Sequence, residues 1–265
     1  MTDIISSAQN PRVKRLLTLQ QKSSERRKTG LFVVEGRREL EHCLAAGYEA
    51  DTIFVSEERF DEQSPALREA FAGTPLVTLH PSLYERVAYR GGTEGVIAIV
   101  RARPLTLADL RLPEHPLIVV LESVEKPGNL GAILRSADAA RADAVIVCDP
   151  LTDLYNPNLI RSSIGAIFTV PCVACTSAEC IAFLQQRGIR ILTAQLQDSH
   201  LYYDIDMTLG TALVMGTEST GLTPQWRQAA DAHIRIPMLG RLDSLNVSVS
   251  TAILLFEAVR QRHAE

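Results

Sequence analysis

The first segment whose side chains could do chemistry combines an amide, a glycine and a guanidinium. Asn129, Gly131 and Arg135 follow an apolar run and a Pro-Gly turn. Arg135 lies six residues after Asn129, almost two helical turns, so the two are expected on roughly the same side of a helix. Groups of this kind at a helix start can hold a polar or anionic substrate; for this segment alone, a capped turn with a surface arginine is the open alternative. The glycine spacing fits neither a Rossmann nor a Walker loop, which disfavours a nucleotide-phosphate cradle of those types.

A second segment places a carboxylate between two glycines after a predicted strand. Gly216, Glu218 and Gly221 follow the apolar run 213–215. Glycine permits a ligand to approach the backbone closely, and a carboxylate at a strand end can orient a polar substrate or accept a proton. For this segment alone, a tight turn with a solvated acid is an open alternative.

A third segment joins the end of a strand to the last predicted helix. Ile236 and Met238 flank a proline, and Ser244, Asn246 and Ser248 open the helix after a short loop. One N-cap needs a single small polar side chain. Three such groups are more than one cap requires, which favours a ligand-binding role, although capping and first-turn positions alone are the open alternative for this segment.

These segments need a frame of strands and helices to bring them together. Apolar runs of strand length alternate with helical patterns, which predicts parallel or mixed sheets covered by helices. The predicted strands are 31–34, 52–55, 76–79, 96–100, 117–121, 144–148, 168–173, 189–193, 212–215 and 233–236. Two helices are predicted to begin at the Asn-Pro pairs 10–11 and 156–157. Further helices are predicted at 37–46, 65–71, 82–87, 129–140 and 244–261. All three segments lie at strand ends, where open α/β sheets bind ligands.

Length and charge distribution predict two domains of different character. The 265 residues suffice for one large domain or two modest ones, and the proline-containing stretch 101–116 is the predicted boundary. The formal charge is −4, but nine basic and four acidic side chains give the first 40 residues +5 and leave −9 for the rest. The net charge alone disfavours a nucleic-acid partner, whereas a basic N-terminal part favours one. A solvated helix face is the alternative reading of these basic residues.

Five cysteines, an odd number, indicate a reducing, cytoplasmic setting. Cys172 and Cys175 have CxxC spacing, and Cys180 follows nearby. A zinc site needs a second pair of ligands, and no His or Cys pair elsewhere in the sequence supplies it. A redox pair is expected at a helix N-terminus, whereas this pair follows the strand-like run 167–171. We therefore expect structural cysteines and no metal. No run approaches the ~20 apolar residues of a membrane helix, so no membrane partner is expected.

The three segments occur in the order of the signature motifs of SpoU-type methyltransferases, the TrmH-like branch of the SPOUT superfamily, and the chain resembles that family. The motifs are Asn129-x-Gly131-x-x-x-Arg135, Gly216-x-Glu218-x-x-Gly221, and Ile236-Pro237-Met238 with Ser244-Leu245-Asn246-Val247-Ser248. This similarity covers roughly 117–265. Residues 7–14 and 32–36 are similar to the L30e-like RNA-binding domain that precedes many such catalytic domains. The resemblance implies an α/β protein: an L30e-like α/β/α domain at 1–103, a linker at 104–116 and a SPOUT domain at 117–265 with a C-terminal trefoil knot.

The resemblance also implies an activity, namely S-adenosylmethionine-dependent methylation of an RNA ribose 2′-hydroxyl by a homodimer. The implied cofactor-binding residues are Gly216, Ile236 and Leu245, with Leu213, Met215 and Met238 by adjacency. The implied catalytic residues are Arg135, Asn129, Glu218, Ser244 and Asn246. RNA is expected to contact basic residues of the N-terminal domain, namely Arg12, Lys14, Arg26, Arg27, Lys28 and Arg37.

The chemistry of methyl transfer bears on two of these roles. Arginine stays protonated in nearly all settings and is a poor general base. Arg135 is therefore expected to bind substrate phosphate and stabilise the developing alkoxide, with Glu218 as the proton acceptor, directly or through water.

Ribosomal RNA of the 23S type is the favoured substrate. Transfer RNA and a catalytically silent RNA-binding or ribosome-assembly role are the alternatives.

Overall fold

The computed structural model describes residues 4–56, 58, 71–89, 94–216 and 221–263. It contains two compact units, of which unit 1 comprises Met1–Arg103 with Asp153–Thr169, and unit 2 comprises Pro104–Thr152 with Val170–Glu265. The helix predicted at 65–71 lies outside the described residues except for Phe71, which is in a turn.

The described elements of unit 1 are α1 (Pro11–Gln21), α2 (Ser23–Thr29), β1 (Leu31–Glu35), α3 (Arg37–Ala45), β2 (Ala50–Ser56), β3 (Leu76–Leu79), α4 (Pro81–Val87), β4 (Val96–Arg101), α6 (Pro157–Ser162) and α7 (Ala166–Thr169). The four strands form a mixed sheet with the order β1-β4-β2-β3. Strands β1 and β2 run antiparallel to β4, and β3 runs parallel to β2.

The start of α1 confirms the capping pattern in the sequence. The side chain of Asn10 accepts a hydrogen bond from the backbone N–H of Arg12 at 2.9 Å, with proline at the first helical position. Val13, Leu16 and Leu19 share one helix face and are almost completely buried in the core of unit 1. The opposite face leaves the basic side chains of α1 in solvent.

Residues 153–169 belong to the core of unit 1 although they come from the second half of the chain. The ring of Phe32 stacks on Tyr155 with centroids 4.4 Å apart, and Phe168 packs edge-on to Tyr48. The strand predicted at 168–173 is therefore wrong, since 166–169 form a helical turn and the strand begins at Cys172. Periodicity cannot distinguish a short buried helix from a strand in an apolar run.

The described elements of unit 2 are β5 (Leu117–Glu122), α5 (Pro127–Ala139), β6 (Ala144–Cys148), β7 (Cys172–Cys175), α8 (Ser177–Gln186), β8 (Arg190–Ala194), β9 (His200–Leu201), β10 (Thr211–Met215), α9 (Pro224–Ala229), β11 (Ala232–Arg235) and α10 (Val247–Arg262). The seven strands form a sheet with the order β7-β6-β5-β10-β8-β11-β9, in which every pairing is parallel. Short 3-10 turns cover Leu107–Asp109 and Tyr202–Asp204.

The central strands of unit 2 are buried on both faces, as expected of a parallel sheet covered by helices. Trp226 of α9 is fully buried against one face. The stretch predicted as a linker, 104–116, also packs in unit 2: Leu110 is buried, and Leu105 pairs with Val173 beside β7. Apolar side chains between the prolines explain why this stretch is part of the core.

Two helices that position the candidate site begin at other residues than predicted. Helix α5 starts at Pro127, which places Asn129 in the first turn instead of at the N-cap. Helix α10 starts at Val247, three residues after the predicted start, because Asn246 is its N-cap. None of the helices in the described ranges combines the length and apolar character that crossing a bilayer requires.

Candidate active site

A cavity of about 410 Å³ lies in unit 2 at the carboxyl ends of the neighbouring strands β10, β8 and β11. Its volume falls in the range of small-molecule sites, about 300–1,000 Å³. Parallel strands leave backbone amides and side chains exposed at this edge, which is where open α/β sheets bind ligands. The predicted site residues that line the cavity are Met215, Gly216, Gly221, Ile236, Met238, Ser244, Leu245 and Asn246.

Glycine is required at position 216 because another part of the chain lies against it. A Cβ atom at Gly216 would be 2.7 Å from the carbonyl carbon of Gly221 and from the backbone nitrogen of Leu222. Gly221 itself has a φ of +67°, a conformation that favours glycine. The two glycines let these two backbone positions lie against each other, and both line the cavity. Glu218 lies outside the described residues.

The apolar predictions separate into lining and core residues. Ile236 and Met238 follow β11, are partly buried, and line the cavity together with Met215. Leu213 does not line it, because it lies two residues before the end of β10 and is fully buried between β5 and β8. Adjacency to the motif in sequence was therefore a poor guide to the role of Leu213.

Two motifs that are far apart in the sequence meet at Asn129 and Asn246. The Asn246 amide Nδ2 donates a hydrogen bond to Asn129 Oδ1 at 3.2 Å. The Oδ1 of Asn246 accepts from the backbone N–H and the hydroxyl of Ser248, at 2.9 and 2.6 Å, and so caps α10. Helices α5 and α10 pack against each other. The capping side chain of one helix therefore fixes the polar side chain in the first turn of the other.

Arg135 lies on α5 with its side chain in solvent. In the part of the chain that the structure describes, no hydrogen bond or ion pair engages its guanidinium, and it does not line the cavity. Six residues turn a regular helix by about 600°, which leaves Asn129 and Arg135 about 120° apart around the axis. The prediction that they share one side of the helix is therefore wrong.

Gln195 is a cavity residue that the sequence motifs do not include. It follows β8 directly and lines the cavity, and its Nε2 donates to the carbonyl of Gln197 at 2.9 Å. Its Oε1 is buried and has no donor among the described residues. A buried acceptor of this kind needs a partner. The strand-end rule that singled out the other segments would also have selected this position.

The basic residues of unit 1 have unequal surroundings. Arg12, Lys14, Arg27 and Lys28 are exposed, and Arg37 is half-buried with its Nε 3.4 Å from a Glu41 carboxylate oxygen. Exposed positions are what contact with RNA phosphates requires.

Arg26 differs from these, because it is almost fully buried within unit 1. Its Nε donates to Asp153 Oδ2 at 2.6 Å, and its Nη1 donates to the carbonyl of Leu19 at 2.7 Å. A guanidinium satisfied by a carboxylate and a backbone carbonyl has a structural role. The predicted RNA contact of Arg26 requires an exposed guanidinium, whereas the structure buries it.

The fold and the cavity define an α/β protein with a ligand site at the carboxyl edge of a parallel sheet. The family model of the SpoU rRNA methylases matches residues 116–256, and that of the MRM3-like substrate binding domain matches residues 10–98. The chain therefore belongs to the SpoU rRNA methylase family. The resemblance seen in the sequence is confirmed.

Similar proteins extend the likeness over both units. The 23S rRNA (guanosine-2′-O-)-methyltransferase RlmB of Vibrio vulnificus is 38% identical over 211 residues, 77% of this chain and 85% of that protein. A crystal structure of an RNA 2′-O ribose methyltransferase is 37% identical, with a TM-score of 0.85 over 98% of this chain and 99% of the other. An AdoMet-bound rRNA methyltransferase from Sinorhizobium meliloti is 29% identical, with a TM-score of 0.88 and 98% of both chains covered.

Proposed function

We propose that this protein is an S-adenosylmethionine-dependent 2′-O-ribose methyltransferase that acts on 23S ribosomal RNA. The observation that carries the proposal is the cavity in unit 2, whose walls include residues from two of the three motifs, with the third joined to it through the Asn129–Asn246 hydrogen bond. Relatives that match this chain over most of its length are named as 23S rRNA 2′-O-methyltransferases.

The cavity fits the chemistry of the proposed cofactor. Ile236, Met238 and Leu245 offer apolar surface for an aromatic base, and the backbone at Gly216 can approach a ligand without a side chain between them. The buried Oε1 of Gln195 provides an acceptor that a ligand N–H or O–H group can satisfy. S-adenosylmethionine supplies a methyl group on a sulfonium, an electrophile that a ribose oxygen can attack.

In the proposal, side chains of the three motifs supply alignment and charge. In the proposal, Arg135 binds a substrate phosphate and stabilises the negative charge that develops on the ribose oxygen. The hydroxyl proton passes to Glu218, directly or through water. Asn129, Asn246 and Ser244 position the substrate ribose, and the Asn129–Asn246 hydrogen bond sets the orientation of both amides before substrate arrives.

A homodimer is part of the proposal, and exposed apolar side chains of unit 2 support it. Val249 and Phe256 on α10 are about half exposed, and Leu239 and Leu242 in the preceding loop are 95% and 80% exposed. Such apolar side chains in solvent are typical of a protein–protein interface. The proposal also includes a trefoil knot in unit 2, which rests on the family resemblance. It further includes a cytoplasmic location, where ribosomal RNA is found, and this too rests on the resemblance.

Unit 1 is the proposed RNA-binding part. Arg12, Lys14, Arg27 and Lys28 present exposed positive charge, which attracts phosphates independently of base sequence. RNA helices hide their base edges in a deep, narrow groove, so recognition by shape and phosphate contacts suits a structured ribosomal substrate.

The test is methyl transfer from tritiated S-adenosylmethionine to bulk ribosomal RNA and to transfer RNA, followed by nuclease mapping. We expect label in one nucleotide of 23S RNA, at the ribose 2′-oxygen. Label in transfer RNA would favour the transfer-RNA alternative. RNA binding without label, and without calorimetric binding of S-adenosylmethionine, would identify a silent RNA-binding or assembly factor.

A further inference from the structure

Three cysteines of unit 2 form a compact cluster outside the proposed active site. The sulfur atoms of Cys148, Cys175 and Cys180 all lie within 4.8 Å of one another. Cys148 and Cys180 are buried, whereas Cys175 is partly exposed, and all three are free thiols. None of them lines the cavity at β8, β10 and β11.

The fold brings these three residues together from separate elements. Cys148 ends β6 and Cys175 ends the adjacent parallel strand β7, where the two residues are direct register partners. Helix α8 begins at once after β7, with Thr176 as its N-cap, and its backbone bond from Cys180 N–H to the Thr176 carbonyl measures 3.0 Å. The first turn of α8 therefore carries Cys180 back to the two strand ends.

The CxxC spacing in the sequence is not what builds the cluster. Successive side chains of a strand point to opposite faces, so Cys172 and Cys175, three residues apart in β7, face opposite sides of the sheet. Cys172 is accordingly buried elsewhere and is not a member of the cluster. The partner of Cys175 is Cys148, which is 27 residues earlier in the chain.

Hydrogen bonds hold the backbone on both sides of the cluster. The Asp149 N–H donates to the Cys175 carbonyl at 2.9 Å. The hydroxyl of Ser177 donates to Asp149 Oδ2 at 2.6 Å, and the indole N–H of Trp226 donates to the Ser177 hydroxyl at 3.1 Å. The chain beside Cys148 and Cys175 is therefore fixed by its neighbours, as outer partners fix the ligands of metal sites.

We propose that Cys148, Cys175 and Cys180 bind one thiophilic d10 metal ion, zinc(II) or copper(I), through three thiolates. Thiolate sulfur is the ligand that selects these ions. Three sulfurs complete a trigonal copper(I) site or leave zinc(II) one further position, and the partly exposed side of Cys175 gives solvent access to that position. The bound ion joins the edge strand β7 to β6 and to α8.

The test uses the full-length protein, reduced and stripped of metal without oxygen, with cobalt(II) as the spectroscopic probe for zinc(II). We expect one equivalent of cobalt(II) per chain with an intense near-ultraviolet sulfur-to-cobalt charge-transfer band, which zinc(II) then removes by displacement. A parallel titration with copper(I) against a coloured copper(I) chelator determines which of the two ions binds more tightly. Neither readout depends on methyl transfer.

Variants identify the ligands. Cys148→Ser, Cys175→Ser and Cys180→Ser should each weaken binding by more than the ~10–100-fold that loss of an outer partner costs. Cys172→Ser, in the same strand, and Cys43→Ser, in unit 1, are the matched controls and should bind as the wild type does. Cys175 is partly exposed, whereas Cys148 and Cys180 are buried. Cys175→Ser should therefore fold even if the serine variants at the two buried positions do not.

Alkylation followed by mass spectrometry gives a readout without any substitution. Zinc(II) or copper(I) should protect Cys175 from alkylation in the wild-type protein. The proposal is overturned if the reduced protein binds neither ion, if Cys175→Ser binds as tightly as the wild type, or if Cys172→Ser loses binding. A disulfide between two of the three cysteines in air, with no metal bound by the reduced protein, would identify a redox pair and also overturn it.

Discussion

The two units of this chain use arginine in opposite ways. In unit 1, Arg26 is buried and bonds to Asp153 and to a backbone carbonyl. In unit 2, Arg135 lies in solvent on α5, and its guanidinium meets no hydrogen-bond or ion-pair partner among the described residues. A buried charge must be fully paired, because desolvation is costly. A solvated guanidinium keeps its five donors available for a phosphate.

The comparison shows that charge in the sequence does not reveal how a residue is used. Arg26 and Arg27 are neighbours in a basic segment, yet one is buried and the other exposed. What separates them is the helical position, since α2 turns Arg26 toward the core and Arg27 toward solvent. Predictions from local charge therefore need the identity of the tertiary partner.

The strongest test of this comparison is Arg26→Ala, which removes the guanidinium partner of the Asp153 carboxylate, a side chain that is only 14% exposed. Breaking one side of a buried pair costs about 3–5 kcal/mol, so the free energy of unfolding should fall by that amount in urea denaturation. The double variant Arg26→Met with Asp153→Asn removes both charges and should recover part of the loss. Arg27→Ala is the control and should change stability by less than about 0.5 kcal/mol. Equal losses for Arg26→Ala and Arg27→Ala would contradict the structural role.

The second test is Arg135→Ala, for which the expected effect is on activity and not on stability. Loss of one group that stabilises developing charge costs about 10²–10³-fold in rate. Methyl transfer should fall by at least that factor, while calorimetry finds unchanged binding of S-adenosylmethionine. Arg227→Ala removes another exposed arginine of unit 2, on α9, and should leave turnover intact. Near-normal methylation by Arg135→Ala would refute the assignment.

Gly216→Ala tests the wall of the cavity. A Cβ at 2.7 Å from two backbone atoms forces the chain at Gly221 to move, and overpacking of this kind costs about 1–3 kcal/mol. We expect S-adenosylmethionine affinity to fall by roughly 5- to 150-fold if the displacement enters the cavity, measured by calorimetry. Gly240→Ala, where a Cβ meets no atom within 4 Å, is the control. Unchanged cofactor affinity in Gly216→Ala would show that Gly216 does not form part of the cofactor-binding site.

The smallest expected effect concerns RNA binding by unit 1. If Arg27 and Lys28 each neutralise one phosphate, the double alanine variant should reduce the slope of log K against log salt by about 1.4–1.8. Filter binding of ribosomal RNA over a series of salt concentrations measures this slope. A slope equal to that of the wild type would show that Arg27 and Lys28 do not contact RNA phosphates. Urea denaturation of the variant serves as the control for its folding.

Much of the local structure was predictable because it depends on short-range physics. The helices after Asn10 and Asn156 begin where the Asn-Pro pairs predicted, with each side chain accepting a bond from the backbone two residues on. Predicted strands such as 144–148 and 212–215 correspond to β6 and β10 within one residue. A continuous apolar run bounded by turns is enough to indicate a buried parallel strand.

Other features required contacts between distant parts of the chain. The run 166–169 forms a helical turn in which Phe168 packs on aromatic rings of unit 1, and no local pattern contains that information. Leu213, which the sequence predicts as a cofactor-binding residue, is fully buried in the sheet, whereas Gln195, which no motif includes, lines the cavity. Distance from the strand end decides which of these residues reaches the cavity.

The sequence by itself determined the alternation of strands and helices, the helix caps, and the motifs that identify the family, because each depends on residues within a few positions of one another. Only the tertiary structure decided that Arg26 is a core residue, that Asn129 meets Asn246, and that Cys148 joins Cys175 and Cys180. In a parallel sheet, neighbouring strands are joined by long crossovers, so such partners are far apart in the chain and no local spacing reveals them.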